Sequence, residues 1–215
     1  DFDVRAFVAS DKRGNMINLN GSSDYVNLNS MAAKMDGVKE FSIEAWIYVD
    51  PGQTNNSVIV AANTSSGGNI INFYVDDGVV KTYDGSYDTY GAPDFTHIDN
   101  QGWHHVALTH NNSKHKVYID GVLLAEKSGS VSTFSSTNQW SIGQEYDNNS
   151  TSDFFNGKMD EIRIWKDVRT EAEIKASMNL SFTAADISGL TNLVAYYQFD
   201  NDDAPGTADG VKDVL

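Results

Sequence analysis

Hydrophobic and polar positions alternate with period two along much of the chain. Phe41, Ile43, Ala45 and Ile47 interleave with Ser42, Glu44, Trp46 and Tyr48, which predicts a strand turning one face to a core. Similar short runs recur at Met16–Leu19, Tyr25–Leu28, Ser57–Ala62, Ile70–Val75, Val79–Tyr83, Trp103–His110, Lys116–Ile119, Val122–Glu126, Trp140–Gly143, Glu161–Trp165 and Leu193–Phe199. Asp77-Gly78 and Asp120-Gly121 are tight-hairpin signals, because glycine accepts the positive φ such turns need. Many short strands punctuated in this way predict an antiparallel sandwich or barrel. One segment departs from the pattern: Thr170 and Glu173 have capping-box spacing and open a short helix that runs to Ala176. The longest stretch without a strand signal, Asp84–Gln101, is rich in Tyr, Asp and Gly, and long loops on a rigid sandwich commonly carry binding.

Composition narrows the partners. The 215 residues suffice for one sizeable core, so 1–215 reads as a single domain with its core over 15–199. The acidic tail 200–215 is expected to lead into a larger protein. A formal charge of −15, from 30 acidic against 15 basic residues, argues against nucleic acid and against anionic membrane surfaces. No apolar run approaches the roughly 20 residues of a membrane span. The absence of cysteine removes a disulfide framework, a thiolate nucleophile and cysteine-ligated zinc.

Three segments, in order, carry a resemblance. They are Met16–Val26 followed by Phe41–Ile47; Trp103–Thr109 continuing to Val117–Gly121; and Ile142-Gly143 followed by Gly157–Trp165 and the short helix. Together they closely resemble the concanavalin A-like, laminin-G-like jelly-roll family over about residues 15–178, with Leu193–Phe199 in the place of its closing strand. The resemblance implies an all-β, two-sheet antiparallel jelly-roll sandwich with one short helix near the C-terminal end. It also implies a calcium-binding extracellular recognition module, secreted or at the cell surface, for carbohydrate or glycoprotein. The residues of Trp103–Thr109 point alternately to opposite faces, so His104 and His105 cannot converge on one metal.

The same resemblance suggests where calcium would sit. Asp160 would supply a carboxylate, Asn20 and Gly21 further oxygens, and Asp24 an extra ligand; calcium takes six to eight such hard donors. Read from the residues, Asp160 could equally hydrogen-bond a turn or pair with Arg163. Gly143–Asp147 is similar to a pentraxin segment in which Glu145, the Tyr146 carbonyl and Asp147 would hold calcium. The earlier loop departs from that pattern with Ser65-Ser66-Gly67-Gly68, leaving Asp153, Asn148 or Asn149 to compensate, and a solvated acidic loop is the other reading.

A sugar platform joins aromatic faces to nearby amides and carboxylates. Tyr83, Tyr87, Tyr90, Tyr146, Phe154 and Phe155 fall in or beside loops, among Asp84, Asp88, Asp147, Asn148 and Asn149, whereas Trp140 reads as core. Catalysis lacks a signature. No Glu-x-Asp-x-x-Glu strand, Gly-x-Ser-x-Gly elbow, phosphate loop or His-Glu-x-x-His motif is present. The chain is therefore expected not to be an enzyme; a structural or protein-interaction spacer is the alternative, and a glycoside hydrolase the more distant one.

Overall fold

The computed structural model describes residues 15–52, 56–89, 97–98 and 102–200, with only the backbone of 88 and 89. Tyr90 and the tail beyond Asp200 lie outside the described residues. In chain order the strands are β1 (Ile17–Asn20), β2 (Val26–Asn27), β3 (Glu40–Val49), β4 (Ser57–Asn63), β5 (Asn69–Asp76), β6 (Val79–Tyr83) and β7 (Tyr87–Thr89). There follow β8 (Trp103–Asn111), β9 (Lys114–Ile119), β10 (Val122–Ser128), β11 (Gln139–Ile142), β12 (Glu145–Asp147), β13 (Ser150–Ser152), β14 (Asn156–Trp165) and β15 (Leu193–Tyr197).

The strands form an all-β jelly-roll sandwich. One sheet runs β1-β14-β3-β8-β9-β10, with β15 also on β14; the other runs β2-β11-β4-β5-β6-β7; β12 and β13 make a separate hairpin. The two Asp-Gly turns form as expected, with φ of 50° and 70° at Asp77 and Gly78, and 50° and 75° at Asp120 and Gly121. Ile43, Ala45 and Ile47 of β3 meet Ile71, Phe73 and Val75 of β5 in the core between the sheets. Trp140 is fully buried there, its ring 4.7 Å from that of Phe134.

The sequence pattern predicts one face of β3 in the core, and the structure covers its other face too. Glu44, Trp46 and the facing His105 are buried beneath the segment that begins with α1 (Glu171–Ser177). Trp46 Nε1 donates to the Met178 carbonyl at 2.6 Å, and His105 lies 3.4 Å from Glu44. His104 points the other way and meets Asp120 at 2.8 Å. A buried polar group anchors the covering segment. Arg163 donates to Glu161 at 2.7 Å and to the carbonyls of Ser177 and Leu180; Ser181 and Tyr196 donate to the same Glu161 carboxylate. Glu161 has a φ of 53° at a bulge in β14, which turns its side chain into this group beside that of Arg163.

The helical content exceeds the single helix expected. The capping box of Thr170 and Glu173 opens α1 as predicted, but a second box, Thr183 with Asp186, opens α2 (Ala184–Ile187), and a 3₁₀ helix spans Asn29–Met35. Both additions are too short to show a helical period in sequence.

Among the described residues, no helix covers the outer face of the second sheet. Val58, Ala61 and Tyr74 form a small apolar patch there, with Tyr83 against it, and β12 packs against β4 and β5 at its side. The turn after β6 is tied to the opposite sheet. Asp84 accepts from the Ser130 amide at 2.8 Å and meets the buried His115 ring at 3.1 Å, so the aromatic residues flanking Asp84 are held in place from across the sandwich.

Candidate functional site

Strand alternation builds the floor of the site. In β5, Ile71, Phe73 and Val75 turn inward, which sends Asn72 and Tyr74 to the outer face. Tyr83 of β6 pairs with Asn72, and Tyr87 of β7 pairs with Tyr83, their rings 4.5 Å apart at 49°. The hairpin β12–β13 supplies the acidic wall. Asn148 and Asn149 take φ of 49° and 65°, the two left-handed residues of a tight turn. Gly67 makes room for that turn, since a Cβ there would lie 2.3 Å from the Asn149 nitrogen.

Glu145 and Asp147, two residues apart, both face the pocket, and Asp153 closes it. Asp153 is fixed by its own backbone: its carbonyl accepts from the Val58 amide at 3.0 Å, and its carboxylate accepts from Asn56 at 3.1 Å. With Val58 and Asn69 these groups enclose about 320 Å³.

The electrostatics are one-sided. Burial pushes the Glu145 carboxyl up to about 7; a hydrogen bond with Asp153 and the charge of Asp147 push the same way, against the Asn72 amide that donates to it. Burial also raises the Tyr74 phenol, so it stays a neutral hydroxyl. Among the described residues, the Asn72 amide oxygen is buried without a hydrogen-bond partner, a costly state unless a ligand or water donates to it. Because Asn72 and Asn56 spend amide hydrogens on carboxylates, the wall presents mostly acceptors.

The expected site residues separate into groups. Glu145, Asp147, Tyr83 and Tyr87 come together in this pocket, joined by Asp153. The Tyr146 carbonyl instead accepts from Asn63 at 3.2 Å. Asn148 and Asn149 sit exposed at the hairpin tip, Phe154 packs beside Tyr25 with ring centres 6.4 Å apart, and Phe155 is in the core. Asn20 pairs with Asn156, four residues along β14 from Asp160, so the register holds Asp160 roughly 13 Å from that end. There the Asn20 carboxamide oxygen accepts from the amides of Ser22, Ser23 and Asp24, while Gly21 donates to Phe155, forming a self-satisfied turn. Asp160, buried in β14, accepts from the Glu161 amide at 2.8 Å.

Sequence reading did not place Asn56, Asn69, Asn72 and Tyr74 in a site. The alternation within Ile70–Val75 carried the signal for Asn72 and Tyr74, two polar-tipped residues sharing one face of an otherwise apolar strand.

The donor set is of the kind a hard cation takes: the carboxyl groups of Glu145, Asp147 and Asp153 line one pocket with the orphan Asn72 amide oxygen. Among the described residues no three Asp, Glu or His side chains are arranged to hold a metal. A cation would therefore draw on Glu145, Asp153, the Asn72 oxygen and water.

A family model described as the concanavalin A-like lectin/glucanases superfamily matches residues 20–175. Among solved structures, the chain is similar to a Bacteroides ovatus protein provisionally described as carbohydrate binding, with 23% identity and a TM-score of 0.64 over 91% of this chain and 54% of that one. The chain thus spans about half the length of that protein. It is also similar to a heptameric SAP-like pentraxin from Limulus polyphemus, with 18% identity and a TM-score of 0.58 over 76% of this chain and 81% of that one. A third is the CBM40 of the Ruminococcus gnavus IT-sialidase bound to α2,3-sialyllactose, with 15% identity and a TM-score of 0.57 over 76% of this chain and 95% of that one. Among curated proteins, none matches the sequence.

Proposed function

Since the chain belongs to the concanavalin A-like lectin/glucanases superfamily, we propose that it is a non-catalytic glycan-binding module whose site is the pocket between Tyr83, Tyr87, Glu145, Asp147 and Asp153. The observation that carries this reading is the meeting of two tyrosine rings, tilted at 49° and 4.5 Å apart, with an acceptor wall on one sheet face. Aromatic rings cover the apolar C–H faces of a sugar while carboxylates and amides take its hydroxyls. The likeness to structures described as carbohydrate binding supports it.

The proposal extends to calcium at Glu145, Asp153 and the Asn72 oxygen, where it would neutralise the carboxyl pair and fix its geometry. It extends also to an extracellular setting, where weak calcium sites are filled, and to fusion with other domains of a larger protein.

Calorimetric titration against a panel of oligosaccharides tests the reading. The wild-type chain is expected to bind at least one, and Tyr83→Ala with Tyr87→Ala is expected to weaken it at least tenfold while the unfolding midpoint stays close to wild type. Undiminished affinity in that double variant would move the site elsewhere.

A further inference from the structure

The chemistry facing the ligand is narrower than a general sugar site requires. Glu145, Asp147 and Asp153 offer carboxylates, and the buried Asn72 oxygen offers an unused acceptor. Among the described residues, no lysine or arginine lines the pocket. The sequence extends that statement beyond the lining residues. Lys81 is the sole lysine or arginine between Glu40 and Ser113, and none lies between Ser128 and Gly157; these two stretches supply every described side chain of the pocket. Lys81 itself is engaged by Asp76 at 2.5 Å.

An acidic sugar brings a carboxylate or sulfate that must find a donor or a cation. Here it would meet acceptors and negative charge within a Debye length of about 8 Å, where screening is incomplete. A divalent cation at Glu145 and Asp153 would offset the charge of that pair and leave the carboxylate of Asp147 at the rim. A neutral sugar suffers none of these penalties: each hydroxyl can donate, and where no cation holds it the orphan Asn72 oxygen gains a partner.

We infer that the pocket selects uncharged sugars and turns away sialic, uronic and sulfated ones. This rests on the glycan-binding proposal and sharpens it by specifying the ligand class. The discrimination comes from repulsion as much as from attraction, the means by which specificity is commonly secured. Asp147, exposed at the pocket rim, is the carboxylate an incoming charge meets first.

The test uses oligosaccharide pairs with one backbone that differ at C6: galacto- against galacturono-oligosaccharides, and manno- against mannurono-oligosaccharides. Titrations are run with calcium and with chelator. The neutral member of a bound pair is expected to bind at least tenfold tighter, and Asp147→Lys is expected to narrow that ratio severalfold. Equal or tighter binding of the acidic member, or an unchanged ratio in Asp147→Lys, overturns the inference while leaving a glycan site in place. Failure of both series to bind sinks the glycan reading itself, and the selectivity with it.

Discussion

Replacing Arg163 by methionine is expected to cost about 3–5 kcal/mol and to lower the unfolding midpoint by on the order of 10 °C. Arg163 is 1% exposed, and its guanidinium lies 4.2 Å from the ring of Phe182 and 5.3 Å from that of Tyr196. It neutralises the buried Glu161 carboxylate and satisfies two carbonyls of the segment that covers the outer face of β3. Methionine fills part of the space but leaves Glu161 charged, with hydroxyls as its remaining side-chain partners. The cost therefore arises from the stranded partner more than from the lost contact. The double variant Arg163→Met with Glu161→Gln should recover a substantial part of the loss, because the uncompensated charge is gone. Scanning calorimetry of the three chains decides this; a single-variant midpoint within about 2 °C of wild type would contradict it.

The second large effect lies in the pocket. The Glu145 carboxyl is held up at about 7, above its ordinary 4.5, chiefly by burial. The folded chain therefore keeps a proton there that the unfolded chain has released. Its contribution to stability is present in full below about 4.5 and is lost as the pH rises through about 7. Without added cation, the midpoint of the wild type relative to Glu145→Gln is expected to fall from pH 5 to pH 8. Calcium should reverse that fall by taking the place of the proton. At a hundredfold excess over its dissociation constant, binding contributes about 2.7 kcal/mol, or roughly 5–10 °C. Glu145→Gln should lose most of this gain. Parallel pH curves for the two chains, or an undiminished calcium shift in the variant, would remove the buried carboxyl from the account.

Much of the fold was legible because it rests on local rules. Period-two alternation located β3, β5, β6 and β8 to within a residue or so, and both Asp-Gly turns formed where glycine permits them. The buried outer face of β3 was not legible. It depends on Arg163 and Glu161, whose adjacency on one side of β14 needs a bulge with a positive φ at a glutamate. The hairpin β12–β13 was missed as a hairpin because its strands have three residues each, although Asn148-Asn149 is a left-handed turn signal.

The candidate site divides in the same way. Glu145, Asp147, Tyr83 and Tyr87 stood out because they crowd loops or lie two apart. Asn72 and Asn56 did not, since their role comes from register between strands distant in sequence. The expected partnership of Asp160 with Asn20 and Gly21 also turned on register, which sets Asn20 opposite Asn156.

The most direct measurement is an amide-resolved NMR titration of the chain with the neutral oligosaccharide that binds it tightest. Shifts are expected to cluster at Asn72, Tyr74, Tyr83, Tyr87, Glu145, Asp147 and Asp153, with the helical side of the first sheet unmoved. Shifts concentrated on that helical side, or at the Asn20–Asp24 turn, would contradict it.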